Sequence, residues 1–558
     1  MLRKTKIAVA LLAAVTSGLS ATATVAAEKS MVTIVPDFFT AFVRNFNPYL
    51  NTSLRTTNDF IYEPLVVFNE MKGNEPVFRL ATGFTMAPDL KSITFDIRDG
   101  VKWSDGQPFT ADDVVFSFDM VKKHPEMDSV GIYKWISKAE KVGPNKVKFD
   151  LVEVNTAVAN EIVKVPVVAK HVWEKVKDPV TFTNENPVGT GPYTQIETFT
   201  PQLYVQCENP NYWQKDQVKV DCLRMPQIAN NDQLLAKIVN SELDWTSSFI
   251  PDIDRTYAAA SPNHKYWYTP AGTTAFVLNY TSPNAAVNEA INNVDFRRAF
   301  SMALDRQAII DIAAYGNGVV NDYASGIGPA FKNWASEDTH NKYKPFMTHD
   351  VKGAKELLAK AGFKDTNGDG FVETPSGKKL ELTVISPNGW TDFNNVVQLG
   401  VEQLADVGIK AKAATPEFAV LNTKMAKGDY DAAFTNYFHG PTPFKYFDTA
   451  FNSKYQGGEQ FGRFAMHHYK DAELDKLLDS FNKTADKKEQ HEIMNKIQER
   501  IASQQITIPV YSGVEFFQYN TKRFDGWFNE KNPVARPQIW NGYPERLLQV
   551  LSLTPKQS

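Results

Sequence analysis

An α/β fold of more than one domain is what this sequence predicts, and three observations carry the prediction. Leu380, Leu382 and Val384 alternate with polar residues, Phe393, Val397, Val401 and Leu404 then fall on one helical face, and "IKAKA" alternates again, which together form a strand–helix–strand unit. A second strand-like run covers about Tyr430 to Tyr437. The chain of 558 residues, 43% hydrophobic and 22% charged, is long enough for two or three domains, each with its own core.

From the N-terminus onward, the first element is a leader. Arg3, Lys4 and Lys6 precede the apolar run Ile7 to Val15, and small residues follow to Ala27, the three-part pattern of a cleaved secretory signal over residues 1–27. No later run reaches the roughly 18 apolar residues of a membrane span. The expected mature chain is therefore a soluble periplasmic protein, without a cysteine after the leader to carry a lipid. Removing three cationic residues takes the formal charge from -4 to -7, which argues against a nucleic-acid partner.

Cys207 and Cys222, the two cysteines, flank "ENPNYWQKDQVKVD", in which a strand-like run, an Asn-Pro-Asn turn and a second alternating run suggest a hairpin. In an oxidising compartment the pair is expected as a disulfide closing a loop of about 15 residues, contributing about 3 kcal/mol in the chain-entropy account. Two free buried thiols are the alternative.

In open α/β sheets, ligands bind beyond the carboxyl ends of the strands. Trp390 stands there, after Ser-Pro-Asn-Gly, with Thr391 or Asp392 as the expected helix N-cap. The strand ending at Tyr437 carries Asn436, Phe438 and His439 at its exit. Two irregular segments add further rings: "YQGGEQFGRFAMHHY" holds Phe461, Arg463 and Phe464, and "NPVARPQIWNGYPE" holds Trp540. Flat aromatic faces beside Asn, Asp and Arg suit a pyranose ring, whose C–H face stacks while its rim needs oriented donors and acceptors. A peptide would instead need charged partners for its two termini. The plainer alternative is that each ring fills a gap beneath a loop.

Catalytic motifs are absent. There is no G-x-S-x-G elbow, P-loop or C-x-x-C, and His491-Glu492 is followed by Asn495 where a zincin would have its second histidine. "DTNGDGFVE" starts like a calcium loop with Asp365, Asn367, Asp369 and Gly370, but Ser376 occupies the position of the closing glutamate, so a polar turn is expected. The pair His467-His468 has no further clustered ligand beside it and reads as surface or structural.

Four ordered segments carry a family resemblance: "LKSITFDIRDGVKWSDGQPFTADDVVFSFDMV" (90–121), "NPVGTGPYTQIETFTPQLYVQCENPNYW" (186–213), "NNVDFRRAFSMALDRQAII" (292–310) and "AKELLAKAGFKDTNGDGF" (354–371). In order and spacing they resemble the extracellular solute-binding proteins of family 5, the oligopeptide-, dipeptide-, nickel- and cellobiose-type receptors of ABC importers. Within that family the chain is similar to the periplasmic chitooligosaccharide-binding proteins of vibrios.

The resemblance implies a two-lobed α/β periplasmic-binding-protein fold with a hinge and three domains. Domain I would comprise residues 28–60, 185–290 and 515–558, domain II residues 61–184, and domain III residues 291–514. Trp103 and the aspartates of "DGVKWSDGQPF" would be scaffold. Trp390 and Trp540 would sandwich a chitobiose unit from opposite lobes, with Asn436, Phe438, Arg463 and Phe464 as further contacts. Asp392 would bind a sugar hydroxyl or cap its helix, and Asn231 and Trp245 would line the cleft.

A monomeric, non-enzymatic receptor without cofactor is implied, delivering chitooligosaccharide to an inner-membrane ABC permease and, in a further role, presenting it to a membrane sensor kinase. The rival readings are an oligopeptide, dipeptide or cellobiose receptor of the same family, a glycoside hydrolase, and a secreted adhesion or sensor module.

Overall fold

The computed structural model describes residues 29–50, 53–54, 57–437, 443–456, 465–484 and 486–556. The leader expected over residues 1–27, and with it any view of its cleavage, lies outside them. No helix among the described residues is long and apolar enough to cross a membrane.

Two large sheets organise the chain. In order along it come β1 (Met31–Val35), β2 (Tyr193–Thr200), β3 (Leu203–Glu208), β4 (Cys222–Pro226), β5 (Trp245–Thr246) and β6 (His264–Tyr266). They are followed by β7 (Thr269–Leu278), β8 (Val319–Val320), β9 (Leu382–Ile385), β10 (Ala411–Ala414), β11 (Ala432–Tyr437), β12 (Thr507–Glu515) and β13 (Gln518–Asn520). The first sheet has seven strands in the order β6-β13-β5-β1-β4-β3-β2, and the second has six in the order β8-β12-β7-β11-β9-β10.

Each sheet has its own core. One apolar cluster gathers Val32, Leu223, Trp245 and Phe517 with Phe95, Phe118 and Phe149, so the first sheet shares a core with a smaller four-stranded sheet drawn from residues 81–151. Another gathers Phe276, Phe300, Val384, Val397, Phe434 and Ile508 around the second sheet. Two cores mean two lobes. The chain passes between them at residues 267–268 and again at 516–517, and the two crossings lie side by side, with the Trp267 amide donating to the Phe517 carbonyl at 2.9 Å.

This crossing corrects the expected domain limits. Residues 269–278, placed by sequence in domain I, form β7, which pairs with β11 and β12 in the middle of the second sheet. Domain I of the sequence reading therefore gives up its last strand, because the strand pairs on past the hinge without any change of composition to mark it.

The motifs that carried the resemblance are mostly scaffold. Trp103 is fully buried, Ser104 donates its amide to Gly189 at 2.9 Å, and the Asn211 side chain donates to the Ser104 carbonyl at 3.0 Å, so three segments distant in sequence lock together. Gly189 is required there, since a Cβ would lie 2.0 Å from the Ile61 carbonyl oxygen. Glu63 accepts from Arg79 at 2.7 Å, Tyr212 at 3.0 Å and the Trp213 indole at 2.7 Å, a buried charge with its partners supplied. The Arg297 guanidinium donates to the carbonyls of Gln504 and Ile291.

The cysteines form a disulfide as a cross-strand pair of β3 and β4, 15 residues apart. The two strands pair antiparallel as the expected hairpin, but the second starts only at Cys222, after the alternating run, and residues 215–217 turn as a 3₁₀ helix. The calcium-like loop closes on itself, with the Asp365 carboxylate accepting from the amides of Gly368 (2.7 Å) and Gly370 (2.9 Å). His467 donates through Nε2 to the Ala450 carbonyl and accepts from the Tyr469 amide through Nδ1, and burial lowers its pKa to about 3. His468 bonds the Met425 carbonyl.

Candidate functional site

Local chemistry explains where Trp390 stands. β9 ends at Ile385, and residues 387–390 form a turn in which the Trp390 amide reaches the Pro387 carbonyl at 3.3 Å. Gly389 has φ +79, a backbone conformation glycine adopts freely. Two helices start beside this turn, α2 (Thr391–Asp406) and α3 (Phe418–Lys427). The Asn388 amide donates to the Pro416 carbonyl at 2.9 Å and its side chain to Glu417 at 2.7 Å, which fixes the start of α3 against the turn. Phe418 is thereby stacked on Trp390 at 5.3 Å and 19°, while Phe393 meets it edge-on at 5.3 Å.

The helix cap differs from the expectation. Trp390 itself occupies the N-cap position, so Thr391 and Asp392 are the first and second residues of α2. Asp392 is buried at the helix N-terminus, where the helix dipole favours its charge, yet burial wins and raises its pKa to about 6. Burial first, and then the nearby charge of Asp392, push the Tyr511 phenol upward.

On the first lobe, Trp540 lies in an irregular segment pinned from several sides. The Trp245 indole donates to Pro537 at 2.9 Å, Ser247 accepts from the Ile539 amide at 3.1 Å, and the Gln538 side chain donates to Thr269 and to the Glu515 carbonyl at the two hinge crossings. Trp540 is half-buried, edge-on to Phe516 at 6.4 Å and to Tyr543 at 5.7 Å. Phe516 belongs to the second crossing, so this tryptophan rests on the hinge.

Beneath it lies a buried charge cluster. Glu515, at the end of β12, accepts from the Tyr543 hydroxyl at 2.8 Å, and burial raises its carboxyl to about 7, although Arg536 at 3.7 Å pulls the other way. Glu70 and Glu545 pair with the same guanidinium at 2.9 and 3.1 Å.

The lobes meet close to these rings. The Asn231 side chain, at the start of α1 (Asn231–Val239), donates to the Thr391 hydroxyl at 3.3 Å, which brings Asn231, Trp390 and Asp392 into one neighbourhood. Asn436 sits near the end of β11, which runs parallel to β9, so its end and the Trp390 turn share one edge of the sheet. Phe438, Arg463 and Phe464 lie outside the described residues.

Trp245 corrects the sequence reading. It is fully buried, its indole nitrogen is paired with Pro537, and its ring packs on Trp527 at 6.1 Å, so it supports the Trp540 segment from below without offering a face to the cleft. Sequence reasoning missed Phe418 and Phe516, the rings that back the two tryptophans. An aromatic opening a helix after Pro-Glu, and the pair Phe516-Phe517 in a strand connection, were the available signals.

Comparison with known proteins places this arrangement. The family described as bacterial extracellular solute-binding proteins, family 5 Middle, matches residues 75–458. Oligopeptide-binding protein AppA of Bacillus subtilis is 25% identical over 76% of this chain and 78% of its own. Di/tripeptide-binding protein 1 of Pseudomonas aeruginosa is 26% identical over 82% of this chain and 85% of its own. A Thermotoga maritima periplasmic oligopeptide-binding protein, solved with mannohexaose bound, superposes with a TM-score of 0.86 at 25% identity, covering 95% of this chain and 99% of that one. These relatives are substrate-binding proteins and not enzymes. With the match to its profile, the two-lobed α/β architecture and the scaffold motifs in place, the chain belongs to the bacterial extracellular solute-binding proteins of family 5.

Proposed function

We propose that this solute-binding protein captures chitooligosaccharide, chitobiose and longer N-acetylglucosamine oligomers, between its lobes and delivers it in the periplasm to an inner-membrane ABC permease. One observation carries the choice of ligand: each lobe brings a half-buried tryptophan to a loop, and each ring is backed by another aromatic, Phe418 behind Trp390 and Phe516 beside Trp540. An indole steadied by a neighbouring ring where the lobes meet is suited to stacking on a sugar ring, and Asp392 and Asn436 would supply polar groups for its rim. That a relative of similar fold was solved with mannohexaose supports an oligosaccharide in this architecture.

Closure follows from the same contacts. A sugar bridging the two lobes has more partners when they are together, so its binding shifts the hinge toward the closed state.

The curated relatives favour a second reading, an oligopeptide or dipeptide receptor, since both are named for peptides. Titration of the mature protein with chitobiose, cellobiose and dialanine, followed by tryptophan fluorescence, decides between them. A saturable change with chitobiose alone is expected. A response to dialanine without one to chitobiose would replace the sugar with a peptide.

A further inference from the structure

The lobes also touch away from the tryptophans. Residues 132–134 of the first lobe and 453–455 of the second are both 3₁₀ turns, and each presents a lysine followed by an aromatic, Lys134-Trp135 and Lys454-Tyr455. The Lys454 ammonium lies 5.1 Å from the centre of the Trp135 ring, and the Lys134 ammonium lies 5.3 Å from that of Tyr455. Each lobe thus rests its cation on the other lobe's ring. Lys483 and Glu153 pair across the same seam at 3.3 Å. A small space lined by Trp135 and Glu153 from the first lobe and by Lys454 and Asp479 from the second lies within this seam.

Each turn is held by bonds within its own lobe. Within the second lobe, Lys454 pairs with Asp479 at 2.9 Å and Asp448 at 3.4 Å, the Tyr455 hydroxyl donates to Asp448 at 2.8 Å, and the Ser453 amide donates to Asp475 at 2.8 Å. Within the first, Asp128 accepts from the amides of Ile132 at 2.9 Å and Tyr133 at 3.3 Å. Groups already held in place lose little freedom on docking. Both cation–ring separations are within the 6 Å or so over which the attraction operates, and both contacts vanish once the lobes part.

We propose that this reciprocal lysine–aromatic clasp determines how tightly the protein holds its solute, through residues that never touch it. A contact made only in the closed state adds its free energy to whatever the ligand gains there, and it slows reopening. The inference rests on the lobes moving, as proposed above, and is independent of which solute closes them.

The test uses the full mature chain with one spin label on each lobe, comparing wild type, Lys134→Ala/Lys454→Ala and Lys134→Arg/Lys454→Arg. Inter-lobe distances are measured alone, with chitobiose and with dialanine, and release of whichever probe closes the wild type is followed by stopped flow. The alanine pair is expected to depopulate the short distance and weaken affinity about five- to thirty-fold, mostly through faster release. The arginine pair, which keeps both cations, should stay within about twofold of wild type. Wild-type distances that are bimodal or ligand-dependent, with unchanged populations and release in the alanine pair, would overturn the clasp and leave closure standing. A single wild-type distance under all three conditions would overturn lobe movement and the clasp with it. Closure by dialanine alone would remove only the sugar assignment, and the clasp would then be judged on dialanine release.

Discussion

Replacing Trp390 with alanine separates the two roles given to its ring. Inside the second lobe the ring has a stacked contact with Phe418 and an edge contact with Phe393, both at 5.3 Å. At about 0.5–1.5 kcal/mol for each aromatic pair, losing both costs about 1–3 kcal/mol beyond the burial the ring gives up. Since the ring is only half-buried, the upper end of the roughly 3–5 kcal/mol typical of a fully buried aromatic should not be reached. With the sugar stacked on this ring as proposed, losing that stack should cost about 1–3 kcal/mol, a five- to 150-fold weaker chitobiose complex. Denaturant unfolding reads the first quantity and isothermal titration with chitobiose the second. Trp390→Phe, which keeps a ring on Phe418, should recover most of the stability and part of the affinity. A folded Trp390→Ala protein whose chitobiose affinity stays within twofold of wild type would refute the stacking role.

Cys207→Ser/Cys222→Ser should lose about 3 kcal/mol in urea unfolding, from the 15-residue separation of the pair, and a loss near zero would mean the denatured chain already holds these strands together. Glu515 should make stability pH-dependent: burial raises its pKa from 4.5 to about 7, so the folded state holds the proton more tightly, and the stability is full below about pH 4.5 and lost as pH rises through 7. A shift of this size corresponds to roughly 3 kcal/mol. Glu515→Gln should therefore match wild type near pH 4 and exceed it at pH 8, and parallel stability curves would sink the argument. Asp392, raised to about 6 by burial, gives a binding counterpart. If its carboxylate accepts from a sugar hydroxyl, chitobiose affinity of the wild type falls between pH 7 and pH 5 while Asp392→Asn shows no such fall, and identical pH profiles would reduce Asp392 to a helix residue.

Periodicity revealed the strand–helix–strand unit in sequence because its three parts are local: Leu382–Ile385, Thr391–Asp406 and Ala411–Ala414 stand where alternation and helical spacing put them, with β9 and β10 parallel. The strand read from about Tyr430 starts at Ala432, an ordinary difference in a boundary. What pattern could not show was pairing between distant segments. Trp245 looked like a cleft residue because nothing in "SELDWTSSF" reveals that β13, more than 270 residues later, lies beside it and that the Pro537 carbonyl accepts from its indole N–H. The hinge was hidden for the same reason: β6 and β7 are separated by only Trp267 and Tyr268, both strand-like residues, and only their pairing partners assign them to different lobes. Trp390 and Trp540 were legible because a large ring in a Pro-Gly-rich segment conflicts with local expectation, whereas Phe418 and Phe516, in regular-looking surroundings, raised no such conflict.

The position of β13 between β6 and β5 fixes an order of assembly. Every strand of the six-stranded sheet has been synthesised by Glu515, so that lobe can fold while the ribosome or the export channel still holds the tail. The seven-stranded sheet cannot, because one of its interior strands is Gln518–Asn520, and its core waits for Phe517, Leu547 and Val550 as well. A chain emerging N-terminus first would thus complete its middle before its beginning. Truncation after Glu515 should leave a folded second half attached to a first half with an unpaired strand edge, the kind of edge that draws chains together into aggregates.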